Sequence, residues 1–196
     1  LGAQNCYWRD EGSFTGEVSA TQLHGVVSYV IVGHSERRHI FHEHDRDIRQ
    51  KVQAVLRNNM RPILCIGETA GERADGETKH VIHDQLTSGL ANVTAEEIKN
   101  VIVAYEPVWS IGSGVSAEPK DVAQVASLIY RQVSSLYGKE AADEMSILYG
   151  GSVTDENAEI YLGVEGIDGL LIGGASLDAH AFANIVTKAH NKRKHN

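Results

Sequence analysis

One apolar run of this chain closes on a carboxylate followed by proline. Val101-Ile-Val-Ala-Tyr105 reads as a β-rich strand that ends at Glu106-Pro107 and passes into the loop Val108-Trp-Ser-Ile-Gly-Ser-Gly114. A parallel α/β protein carries its catalytic base at the carboxyl end of a strand, beside a segment able to close. Pro107 drives the residue before it into extended backbone, so the main chain as well as packing aims Glu106. A second candidate stands in Val32-Gly33-His34-Ser35-Glu36-Arg37-Arg38, where His34 follows the strand Val26–Val32 and Ser35-Glu36 resembles the opening of a helical turn. A helix N-terminus disfavours positive charge, which predicts a neutral imidazole. Such a ring can donate a hydrogen bond to a carbonyl and pass a proton between adjacent oxygens. Glu36 reads as a group that organises His34, and Glu36-Arg37-Arg38 as an exposed charge cluster.

Three glycine-bearing turns could supply a complementary function. Gly112 and Gly114 lie in the loop after Glu106, Gly150-Gly151-Ser152 follows Tyr149, and Gly173-Gly174 follows Ile172. Glycine allows close backbone approach, so successive N–H groups can point at an anion. Gly-Gly turns at two successive strand ends favour a phosphate cradle.

The elements that must position these groups are repeated strand–helix units. Strands are expected at Leu1–Asn5, Val26–Val32, Pro62–Ile66, Val101–Tyr105, Ser146–Tyr149 and Gly169–Ile172. Most are short and nearly continuous in apolar residues, as parallel strands covered on both faces are. Ile48, Val52, Val55 and Leu56 give one helix stripe, and Val122, Val125, Ile129 and Val133 another. A helix is expected to begin near Asp45. Pro119 marks a first helical turn, Gly138 a helix stop, and Thr94-Ala-Glu-Glu97 a capping box. Repeated βα units leave an open doubly wound sheet or a closed (β/α)8 barrel. There is no GxGxxG after a first strand and no GxxxxGK[ST], and candidate residues follow five different strands, so the barrel is favoured. Only six of its eight βα units are visible. Two more, of about 25–30 residues each, would reach the usual barrel size. The chain opens on Leu1 inside an apolar segment, so upstream sequence is expected.

The 196 residues are 42% hydrophobic and carry a net charge of -8, which disfavours nucleic acid and anionic membranes as partners. Cys6 and Cys65 show no paired spacing, which fits a reducing cytosolic setting. No apolar stretch reaches the ~18 residues of a membrane span. His39, His42 and His44 are close in sequence, but they lack HExxH spacing and do not share one helix face; neither a metal nor another cofactor is expected.

The segments Gly33-His-Ser-Glu-Arg-Arg38, Ala104-Tyr-Glu-Pro-Val-Trp109, Tyr149-Gly-Gly-Ser-Val153 and Gly173-Gly174, with Ala3-Gln-Asn5 and Phe14-Thr-Gly-Glu17, resemble the triosephosphate isomerase family in order and spacing. The resemblance covers Leu1 to about His190: one barrel domain over 1–190, with 191–196 a basic tail. It implies a cytoplasmic, cofactor-free homodimer of glycolysis and gluconeogenesis. Its reaction interconverts dihydroxyacetone phosphate and D-glyceraldehyde 3-phosphate through an enediol(ate). Glu106 matches the base and His34 the neutral electrophile; Gly112, Ser152, Gly173 and Gly174 match phosphate-binding positions. Pro107 to Ala117, Trp109 included, match a mobile lid, with Tyr149 and Ser152 its latch. Thr15, in the 5–18 loop, matches a residue reaching into a neighbouring subunit. Tyr7 and Phe14 there read as aromatics awaiting a partner, with an Ω-loop packed on itself as the alternative.

An Asn and a Lys of the family's first βα unit have no match here. The 196 residues alone are therefore expected to be inactive and poorly soluble, with two unpaired barrel edges. Two other readings stay open. One is a barrel isomerase acting on sugar phosphates attached to heterocycles; the other is a truncated product that only pairs with other subunits.

Overall fold

β-Branched and aliphatic runs that are buried on both faces pair in parallel, and here they form a single six-stranded sheet in the order β1-β2-β3-β4-β5-β6. The strands are β1 (Gly2–Ala3), β2 (Tyr29–Val32), β3 (Arg61–Ile66), β4 (Ile102–Tyr105), β5 (Ser146–Tyr149) and β6 (Gly169–Leu170). Every adjacent pair is parallel. This computed structural model describes residues 1–112 and 115–193, Arg193 by its backbone alone. Six parallel strands with helices between them make a partial (β/α)8 barrel.

Register shows how the two faces differ. Val32, Leu64, Val103 and Ile147 stand side by side across β2 to β5 and are all buried. A Cβ on Gly89 would lie 2.7 Å from Leu64 Cδ2, so α5 (Thr78–Gly89) packs directly on this row. On the other face Cys65 and Ala104 are buried, whereas Ile31, Ile63 and Leu148 are only half-buried. Central β4 is buried at all four positions, while β1 and β6 have no fully buried residue.

The helices connect and cover the sheet: α1 (Ala20–Leu23), α2 (Ser35–His39), α3 (Asp45–Arg57), α4 (Ala70–Ala74), α5, α6 (Pro119–Tyr137), α7 (Lys139–Glu144), α8 (Ala158–Leu162) and α9 (Ala179–Arg193). In α3, Ile48, Val52, Ala54 and Val55 are buried, with Asp45 and Asp47 at its positive end and Arg57 at its negative end. Lys51 is buried on the same helix because Glu43 Oε1 lies 2.6 Å from its Nζ and Asn5 Oδ1 2.8 Å. Pro119 occupies the first turn of α6, and Gly138, at φ 91°, ends it.

Several boundaries differ from the expected ones. The N–H groups of Val26 and Val27 bond back to Leu23 O, extending the α1 turn, so β2 starts only at Tyr29. The expected strands at both ends of the sheet shorten to two residues each, as strands with a neighbour on one side only do. Thr94 and Glu97 do bond reciprocally, yet the chain then forms the 3-10 turn Ile98–Asn100 leading into β4 rather than an α-helix. Helix α9 runs on to Arg193, through the start of the expected tail; Lys194–Asn196 lie outside the described residues.

Candidate active site

Because all strands are parallel, their carboxyl ends share one rim, and the candidate groups follow from it. Glu106 leaves β4 with its N–H bonded to Ile66 O at 2.8 Å, which ties it to the end of β3. The contact is close: a Cβ on Gly67 would fall 1.7 Å from Glu106 O, so only glycine fits there. A Cβ on Gly150, just past β5, would meet Glu106 Cγ at 3.1 Å. The carboxylate is thus seated between two strand ends and is 2% exposed.

His34 N-caps α2, and its Nδ1 accepts the Glu36 N–H at 3.3 Å. That assigns the remaining proton of the neutral ring to Nε2. Nε2 lies 2.9 Å from Glu106 Oε1, while Ser35 N–H donates to Glu106 Oε2 at 2.9 Å. Oε1 itself meets no hydrogen bond of good geometry despite its burial. The site therefore holds a buried carboxylate with one oxygen anchored and the other available, beside an imidazole N–H. Glu106 raises the His34 pKa, chiefly through their contact, with burial opposing and Glu36 adding a smaller upward pull. The sequence alone predicts that the helix N-terminus keeps His34 neutral; in the structure the Glu106 carboxylate pulls the ring the other way.

The neighbours of His34 divide differently from the expected charge cluster. The Glu36 side chain is 65% exposed, and its Oε2 stands 3.9 Å from His34 Nδ1, so its backbone makes the closer contact. Arg38 is an organiser instead. It donates to Gly33 O at 2.7 Å and Cys65 O at 3.1 Å and pairs with Asp45 at 2.6 Å, tying β2 to β3. Arg37 pairs with buried Glu43 at 2.6 Å.

Pro107 opens the 3-10 turn Val108–Ser110, in which Ser110 is fully buried. Trp109 Nε1 donates to Glu68 Oε1 at 2.9 Å, and the Arg73 guanidinium lies over its ring. At the far end of the expected lid, Tyr161 OH donates to Ala117 O at 2.8 Å, and Asn157 Nδ2 to Ser116 Oγ at 3.4 Å. Ser113 and Gly114 lie outside the described residues. Tyr149 is buried and stacked on Tyr161 at 4.1 Å; burial pushes its phenol well up, with the Ser110 hydroxyl and the Ala117 amide pulling it the other way.

The expected phosphate positions follow three neighbouring strands: Gly112 after β4, Ser152 after β5, Gly173 and Gly174 after β6. The three glycines are exposed and Ser152 is half-buried. Asn157 Nδ2 holds Ser152 O at 3.0 Å, and Ser176 Oγ holds Gly173 O at 2.7 Å. Gly174 begins the 3-10 turn Gly174–Leu177. Thr15 is exposed at the tip of the loop that Tyr7 N–H closes on Val18 O. The aromatics there are half-buried and pack on one another, with Tyr7 4.1 Å from Trp8 and 4.5 Å from Phe14.

Sequence reasoning misses Glu68, although it also follows a parallel strand and offers the same signal as Glu106. It is fully buried and accepts from Tyr105 OH at 3.1 Å as well as from Trp109. Among the described residues no group of three or more His, Cys, Asp or Glu is placed to hold a metal, and no helix is long and apolar enough to cross a membrane.

Comparison with known proteins gives consistent results. A family model described as "Triosephosphate isomerase" matches residues 1–189. A triosephosphate isomerase of Carboxydothermus hydrogenoformans is 49% identical over 187 residues, covering 95% of this chain and 74% of its own length. That of Solibacter usitatus is 46% identical over 187 residues, covering 95% and 75%. The crystal structure of triosephosphate isomerase from Bartonella henselae superposes with a TM-score of 0.87 at 42% identity, covering 97% of this chain and 77% of its own. This chain thus spans about three quarters of the length of these relatives.

Proposed function

This chain belongs to the triosephosphate isomerase family, and we propose that its strand-end rim interconverts dihydroxyacetone phosphate and D-glyceraldehyde 3-phosphate. The observation that carries this reading is the pairing of a buried, half-engaged carboxylate with an imidazole Nε2 only 2.9 Å away. Glu106 Oε1 takes the proton from the carbon beside the carbonyl while His34 Nε2–H hydrogen-bonds the carbonyl oxygen. The electron pair moves into an enediolate. His34 relays a proton between its two oxygens, and Glu106 returns a proton to the neighbouring carbon. Nothing is oxidised or reduced overall, and no cofactor is required.

The charge of His34 is consistent with this. Substrate entering between the two side chains removes the contact that raises its pKa. The Glu36 N–H on Nδ1 stays, and it favours the neutral ring. Backbone groups at Gly112, Ser152, Gly173 and Gly174 bind the phosphate, and the 107–117 segment shuts out water, since an enediolate left wet loses its phosphate. Tyr149 and Ser152 latch that segment. The loop carrying Thr15 contacts a second copy in a homodimer, and the cytoplasm, with glycolysis and gluconeogenesis, is the proposed setting.

As a separate polypeptide these 196 residues are proposed to be inactive and poorly soluble. β1 and β6 would keep unpaired outer edges, and Ile31, Ile63 and Leu148 would be incompletely covered. Turnover is to be measured on the complete barrel, this chain together with the two strand–helix units expected before it. There Glu106→Ala should abolish isomerisation while inorganic phosphate still binds. Equal loss of both would make Glu106 structural. Failure of phosphate to protect the 107–117 amides from hydrogen exchange would favour a product that only pairs with other subunits.

A further inference from the structure

Arg73 has no part in the proposed chemistry, yet it touches Trp109 near the start of the segment after Glu106 and Asp121 in the helix that follows its end. Its guanidinium carbon sits 4.2 Å from the centroid of the Trp109 ring, in the turn directly after the base. Nη2 lies 2.5 Å from Oδ2 of Asp121, in the first turn of α6 and just beyond Ala117. Nη1 lies 3.8 Å from Glu68 Oε1. The helix that carries Arg73 is fixed in turn: Thr69 Oγ1 accepts the Glu72 N–H at 3.3 Å, and Glu72 Oε2 accepts the Thr69 N–H at 2.7 Å.

Glu68 fixes the other side of the same segment. Its carboxylate takes the Tyr105 hydroxyl and the Trp109 indole N–H, and its carbonyl takes the Val108 N–H at 3.0 Å. Tyr105, Val108 and Trp109 bracket Glu106-Pro107, so Glu68 holds the chain on both sides of the base, through two side chains at its carboxylate and one N–H at its carbonyl. Its charge is wholly buried, and a cation close by offsets that burial. Arginine suits the place because its planar fork serves carboxylates while its face stacks on an indole. Lysine offers the charge without the plane.

We propose that Arg73 is a positioning residue that couples the two ends of the 107–117 segment, so that they loosen or tighten together, and keeps the chain around Glu106 aligned with His34. The proposal rests on reading that segment as the cover of the site, but the coupling itself belongs to the ligand-free protein and can be measured without turnover.

Hydrogen exchange at Val108–Ser110 and at Ser116–Ala117 tests it, in the complete barrel with Trp8 and any tryptophan of the added units replaced by Phe, so that Trp109 alone reports by fluorescence. Arg73→Met should speed exchange about tenfold at both ends and shift the Trp109 emission. Arg73→Lys should restore part of the protection but leave the emission shifted, because stacking is lost. Asp121→Asn should speed exchange at Val108–Ser110, remote from it in sequence, as well as near Ala117. A change confined to one end, a Lys variant matching wild type in both readouts, or an Asp121→Asn effect limited to α6 and Ala117 would overturn the coupling. Should Arg73→Met fail to fold, the Lys and Asp121→Asn variants decide the matter by the same criteria. Absence of phosphate protection in the parent protein would defeat the cover reading alone and leave the coupling standing.

Discussion

Two buried carboxylates stand at neighbouring strand ends, and their surroundings assign them opposite tasks. Glu68, after β3, is fully buried and engaged by a phenol, an indole N–H and a nearby guanidinium. Glu106, after β4, is as deeply buried, but only Oε2 is anchored, by the Ser35 N–H. A buried charge whose partners are all in place fixes structure. One with a spare oxygen beside an imidazole can take a proton. Strand-end position and burial alone would not tell the two apart; the donors do.

The sharpest way to break this contrast is to neutralise each group in turn. In the complete barrel, Glu106→Gln should lower kcat by about 10²–10⁴, the range for loss of a general base, with little change in unfolding free energy. Glu68→Ala should act first on stability. It leaves the Tyr105 hydroxyl and the Trp109 indole unpaired in a buried site and should cost about 3 kcal/mol in chemical denaturation. A Glu68→Ala variant of normal stability would remove the distinction.

Much of this was legible in the chain, and the parts that were not have a physical reason. Glu106 and His34 each carry local signs: an apolar strand, a proline or glycine at its end, and a turn that aims the side chain. The six strands were readable for the same reason, since nearly unbroken Val and Ile runs mark parallel strands. Glu68 carried the same strand-end sign, yet its role depends on Tyr105 and Trp109, which are 37 and 41 positions away and are brought near only by β3–β4 pairing. The Arg37–Glu43–Lys51 pairing was hidden likewise, because charge runs read as solvated until burial is known. At Thr94 the local cap formed, but the chain entered β4 before a helix could grow.

A smaller effect sharpens the contrast through pH. The His34 pKa is raised in the folded protein above its ordinary value of 6.5. Its contribution to stability is therefore complete below the unfolded value and is lost as pH rises through the higher folded value. Thermal melts of His34→Gln should show a flatter decline in Tm above about pH 6.5 than the parent. A parent and variant with parallel profiles would mean that the pair contributes nothing in this window. The smallest expected change belongs to Tyr149→Phe. Removing a buried hydroxyl that meets no hydrogen bond of good geometry should move unfolding free energy in chemical denaturation by about 1 kcal/mol or less.

Solvent proton exchange tests the spare oxygen of Glu106 most directly. In deuterium oxide, the complete barrel should place deuterium on the carbon beside the carbonyl of dihydroxyacetone phosphate. Glu106→Gln should place none above background while still binding inorganic phosphate. Deuterium entering at the parent rate in that variant would contradict the assignment.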